Sequence, residues 1–104
     1  MGVDYFSIEK TPSLVWRNVG DNICFYIKDQ EIAGTLNSTG SQIFNLLIRR
    51  LNEGCRFLTI DDIVAELKCC FTKLPKSCTV VLDIKKVLEE FKRSSLLVDK
   101  LYFS

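Results

Sequence analysis

The sequence contains no histidine. That removes the commonest general base, every imidazole-based catalytic triad and the commonest metal ligand. Its five glycines are scattered and match neither common phosphate-loop fingerprint. No apolar run approaches the ~18 residues that would span a bilayer. Met1 to Tyr5 has no basic stretch leading into an apolar one, so neither a membrane span nor a secretory signal is expected. A charge surplus is also missing: 14 Lys and Arg face 13 Asp and Glu, a net of +1. A dedicated nucleic-acid binder usually carries a basic excess.

The five cysteines, Cys24, Cys55, Cys69, Cys70 and Cys78, form no CxxC pair, and the adjacent two diverge on a helix. They read as reduced, small apolar side chains in a cytoplasmic protein, with no metal and no cofactor. The paired carboxylates Asp61-Asp62 and Glu89-Glu90 diverge by about 100° on a helix. They read as dipole partners or solvated faces rather than an acid–base pair. With no base to activate a thiol, an enzyme is not expected.

What is present is an ordinary globular mix, 47% apolar and 26% charged, at a length of 104 residues that suits one domain. Residues 1–12 read as a poorly ordered lead-in. Three short strands follow: Leu14 to Val19, Ile23 to Ile27 and Ile32 to Leu36, separated by the turn clusters Gly20-Asp21-Asn22 and Lys28-Asp29-Gln30. Such short spacings favour an antiparallel meander.

From Asn37 the period becomes helical, with a capping box from Thr39 to Gln42 and a stripe of Ile43, Phe44, Leu47, Ile48 and Leu51. Gly54 is the stop. A second helix starts at a Thr59/Asp62 capping box, with Leu58 and Ile63 as hydrophobic staple, and carries Ile60, Ile63, Val64, Leu67 and Phe71. Leu74-Pro75-Lys76-Ser77 breaks it. A third helix runs roughly from Val80 to Arg93, with a stripe of Val80 or Val81, Ile84, Val87, Leu88 and Phe91. Strands first and helices after imply an α+β fold: a small three-stranded antiparallel sheet followed by three helices, compatible with a winged helix-turn-helix. Residues 13–98 make the domain and 99–104 a tail.

Two functional readings compete. A winged-helix DNA-binding regulator would read with the third helix, but there Lys85, Lys86, Lys92 and Arg93 share space with Asp83, Glu89 and Glu90. Arg49, Arg50 and Arg56 form a second small basic group. Peptide capture by strand addition instead needs an open sheet edge. The third strand has no proline and no internal charge to block pairing, and Gly34 serves either close backbone approach or tight packing.

Leu36-Asn37-Ser38-Thr39-Gly40, followed by Ile43, Phe44 and Leu47, resembles the Leu-Asn-x-Thr-Gly/Ala…Ile-Trp-x-Leu signature of PqqD-like proteins. Thr59-Ile60-Asp61-Asp62-Ile63-Val64-x-x-Leu67 is similar to the family's Thr-Val-x-Glu-Ile-x-x-x-Leu helix. Asp83-Ile84-x-x-Val87-Leu88-x-x-Phe91, then Leu96-Leu97, is similar to its closing motif. The resemblance covers roughly residues 13–98 and implies a RiPP recognition element. Such a domain binds the leader of a ribosomally made precursor peptide and presents it to a maturation enzyme, often of the radical SAM type. It implies a leader antiparallel to the third strand, with Ile32, Ala33, Gly34, Thr35 and Leu36 as the edge. Val80, Ile84 and Val87 would be the facing wall, with Lys86 at the rim for an acidic leader residue. No nucleic acid and no membrane is implied. Two features depart from the pattern: Ile48 to Glu53 looks inserted, and Ser94-Ser95 replaces the usual glycine before the final apolar pair.

Overall fold

The path of the chain in the computed structural model, which describes residues 4–70 and 77–103 with side chains over 4–67 and 81–103, alternates between two sheets and one helical layer. In order it forms β1 (Tyr5–Ile8), β2 (Leu14–Val19), β3 (Asn22–Ile27), β4 (Ile32–Leu36), α1 (Ser38–Asn52), β5 (Phe57–Thr59), α2 (Ile60–Cys70), α3 (Ser77–Arg93) and β6 (Val98–Tyr102). The described strands make two three-stranded antiparallel sheets, β2-β3-β4 and β5-β1-β6. The strands-then-helices order therefore covers only part of the architecture.

The second sheet is the main correction. The segment expected as a lead-in contains β1, the middle strand of β5-β1-β6, and the expected tail is taken up by β6. Phe6 is fully buried and lies between Leu58 and Leu101 across the sheet. Four residues with two buried hydrophobics carry too little periodicity to announce a strand, and these partners are remote in sequence. Thr11 fastens the same region. Its Oγ1 donates to the Ser95 carbonyl at 2.9 Å and accepts from the Leu97 N–H at 2.7 Å.

The β2-β3-β4 meander matches the expected strands. Gly20 takes φ +63° in a two-residue turn between Val19 and Asn22. Because side chains alternate, Ile23, Phe25 and Ile27 enter the core, while Cys24 and Tyr26 lie on the opposite face. Trp16, on the inner face of β2, meets Phe44 of α1 edge-on at 5.3 Å between centroids.

The helices start and stop largely as their caps direct. α1 is capped by Asn37, whose Oδ1 accepts from the Gly40 N–H at 2.8 Å, rather than by a Thr39/Gln42 box. Asn37 holds extended backbone with its oxygen one turn below the first free amides, the geometry a cap requires. The Thr59/Asp62 box on α2 forms in both directions, at 3.0 and 3.1 Å. Gly54 after α1 sits at φ +87°.

The apparent insertion at Ile48 to Glu53 is the last part of α1, and it docks α2. Arg49 and Arg50 each donate to Glu66 at 2.7 Å. The expected break at Leu74-Pro75-Lys76 and the stripe residue Phe71 lie outside the described residues. Ile43, Phe44, Leu47, Ile63, Ile84, Leu88 and Phe91 join the inner faces of both sheets in one core.

Candidate functional site

Strand β4 is an edge: among the described residues its strand partner is β3 alone. Which of its backbone groups face outward follows from the register. The two-residue turn makes Val19 and Asn22 a hydrogen-bonded pair, and such pairs recur at every second rung of an antiparallel ladder. The alternation is confirmed at the far end, where the Lys28 N–H donates to the Ser13 carbonyl at 3.1 Å. Cys24 and Tyr26 therefore spend their backbone groups on β2, and Ile23, Phe25 and Ile27 turn theirs to β4. Their β4 partners are Leu36, Gly34 and Ile32. The N–H and C=O of Ala33 and Thr35 point away from β3 and, among the described residues, meet no further strand.

The same register divides the side chains. Ile32, Gly34 and Leu36 lie on the inner face, with Ile32 and Leu36 packed against the core, while Ala33 and Thr35 are exposed on the outer face. Gly34 has a specific task. A Cβ there would stand 2.9 Å from Cε1 and Cζ of Phe25, whose ring crosses the strand at that point. The glycine makes room for its own neighbour's ring, a packing role.

On α3, Ile84 is 1% exposed and belongs to the core, so its side chain is not free to line an open wall. Val87 is half-buried against the same core, as is Val81, the alternative to Val80 in the helical stripe. Lys86 is exposed. The side chain of Val80 lies outside the described residues. Lys85, one residue before Lys86, is held by Asp4 and lies 5.3 Å from the ring centroid of Phe103. The end of α3 and the turn leading into β4 share a cavity of about 350 Å³, whose lining includes Gln30, Lys92, Ser95 and Asp99. The β3–β4 turn and the last turn of α3 thus border one opening, with Glu9 to Pro12 along its side. Cys24 and Cys55 are free thiols; Cys24 Sγ lies 3.7 Å from Thr35 Oγ1, and Cys55 donates to the Phe57 carbonyl.

The described part of the chain is therefore a small α/β domain with an unpaired strand edge beside a helical core. No protein-family model matches the sequence, and no curated protein sequence does either. In fold, it is similar to TbiB1, solved in complex with the TbiA(beta) leader peptide. The TM-score is 0.65 at 21% identity, over 93% of this chain and 98% of the other. Among the described residues, no helix is long and apolar enough to cross a membrane.

Proposed function

We propose that this protein is a non-catalytic leader-peptide-binding domain. It takes the leader of a ribosomally made precursor as an added strand on β4 and presents it to a separate modifying enzyme, of radical SAM type in the family its motifs resemble. The observation that carries the reading is the open edge at Ala33 and Thr35, on a strand without proline or charge. A fold shared with a protein solved holding a leader peptide supports it. A cytoplasmic setting, where precursors are made, suits the free thiols of Cys24 and Cys55.

The energetics suit a carrier. The outward groups of Ala33 and Thr35 offer two donors and two acceptors, each bond worth a net ~0.5–1.5 kcal/mol. Ordering the guest offsets much of that. Micromolar affinity, about −8 kcal/mol, then needs two or three guest side chains buried at ~1.5–3 kcal/mol each. These would be the residues opposite Ile32, Gly34 and Leu36, which alternate onto the inner face. The one opposite Gly34 meets the Phe25 ring. Val81 and Val87, half-buried rather than enclosed like Ile84, are the apolar residues of α3 that can face them, with Lys86 available at the rim. DNA reading has less behind it, because Lys85 is engaged by Asp4 and Arg49 and Arg50 by Glu66.

The test replaces an outward amide. Thr35→Pro removes a donor that β3 does not use, at an edge position where proline is tolerated. A peptide selected on the wild type from a phage-displayed random library, about a dozen residues long, serves as probe. It should bind the folded variant at least about tenfold more weakly, with wild-type amide shifts centred on residues 31–37. Equal affinity in a variant with an unchanged circular dichroism spectrum overturns strand addition.

A further inference from the structure

We infer that Tyr26 is a specificity-determining residue for the guest strand, acting from the solvent-facing side of the sheet and selecting an aromatic or long aliphatic side chain. The inference rests on strand addition to β4. A fourth strand paired at Ala33 and Thr35 must place the guest residues opposite them on the outer face, because opposed residues of an antiparallel pair share a face. One such residue continues the row Val15–Tyr26–Ala33, and the other continues Arg17–Cys24–Thr35.

The two rows are chemically unlike. In the first, Val15 is 45% and Tyr26 40% exposed, and no charge interrupts them. The member between Tyr26 and the guest is the single methyl of Ala33. Adjacent strands lie ~4.8 Å apart, so the guest residue stands about 9–10 Å from Tyr26. A tyrosine ring leaning over a methyl and a long apolar side chain leaning back close that gap, and aromatic side chains engage neighbours beyond the directly opposed one. In the second row the guest meets Thr35 and then Cys24, already in contact with each other at 3.7 Å, and the row itself holds no aromatic residue. The sheet therefore discriminates between two outward guest positions only two residues apart: the one opposite Ala33 is selected for a large apolar residue, and the one opposite Thr35 is not.

Phage-displayed random peptides, about a dozen residues long, are selected in parallel on the wild type, Tyr26→Thr and Thr35→Pro. Threonine keeps β propensity at an exposed position, so the sheet survives the change. The wild type should enrich inward apolar residues at alternate positions plus one outward aromatic or long aliphatic residue. On Tyr26→Thr the outward preference should vanish and the inward ones persist. Wild-type-selected peptides should bind this variant about two- to fivefold more weakly by fluorescence polarisation. If Tyr26→Thr selects the same residues at every position and binds them equally, the Tyr26 assignment is overturned and strand addition stands. If folded Thr35→Pro enriches the wild-type peptides, or if no peptide enriches on the wild type, strand addition falls and the assignment with it.

Discussion

The two sheets are alike in size and opposite in how the chain builds them. β2, β3 and β4 follow one another through short turns, so each pairs with its neighbour in sequence. β1, β5 and β6 come from the start, middle and end of the chain, and Tyr5 pairs with Tyr102. The first sheet enters the core through its middle strand, Ile23, Phe25 and Ile27 of β3, but its edges are lightly buried: along β2 no residue is fully covered, and β4 alternates between half-buried and exposed. The second is anchored, with Phe6, Ser7 and Ile8 of β1 all buried. The remote sheet ties both chain ends to the core, and the local sheet projects from that base with a free edge. A binding edge must stay unpaired and still hold its shape, and the division of labour supplies both. The buried middle strands β1 and β3 both feed one core, and the open backbone groups of Ala33 and Thr35 lie at the margin of the local sheet.

If that division holds, damage to the two sheets has unequal consequences. Phe6→Ala empties the centre of the remote sheet, where the ring is fully buried between Leu58 and Leu101. The expected loss is about 3–5 kcal/mol. Against a total of about 5–15 kcal/mol for a domain of this kind, urea unfolding should show a midpoint reduced by about a fifth or more, with both sheets lost together. A small shift would mean that β1 is an accessory. Gly34→Ala strikes the local sheet. Its new Cβ forces the Phe25 ring aside, at about 1–2 kcal/mol, because the atoms it meets are the free end of a side chain. The transition should stay cooperative at a modestly lower midpoint. A loss as large as that for Phe6→Ala would erase the contrast between the sheets.

The same contrast explains what was legible in the sequence. The local strands were readable because turn residues such as Gly20-Asp21 and alternating residues such as Ile23, Phe25 and Ile27 act within a few positions of each other. The capping box at Thr59 and Asp62 was readable for the same reason. β1 and β6 were not, since Phe6 is a core residue only because Leu58 and Leu101 arrive from elsewhere. Within the candidate site, the edge strand Ile32 to Leu36 was legible, but the task of Gly34 was not, because it depends on where the Phe25 ring falls. On α3, periodicity marked Ile84 and Val87 as one stripe. It could not show that the first sits inside the core and the second at its margin.

The smallest expected effect has the opposite sign and lies where α3 hands the chain to the remote sheet. The helix ends in paired bonds, Ser95 N–H to the Lys92 carbonyl at 3.0 Å and Leu96 N–H to the Phe91 carbonyl at 2.7 Å. That pattern requires a left-handed residue, and Ser95 adopts φ +56°. This is the place where the motif the chain resembles carries glycine. A side chain in that conformation costs about 1–2 kcal/mol through its Cβ. Glycine removes the clash but gives back part of the gain through the freedom of its unfolded chain. The Ser95 carbonyl that Thr11 holds is backbone and survives the change. Ser95→Gly should therefore stabilise the protein by about 0.5–1 kcal/mol, raising Tm in a calorimetric scan by about 2–6 °C. Leu97 also has positive φ, at +65°, but its side chain is buried in the core. Leu97→Gly would lose more in packing than it relieves in strain. A Tm that falls with Ser95→Gly would show that the serine side chain holds the turn into β6, and that the remote sheet depends on that turn more than its backbone bonds account for.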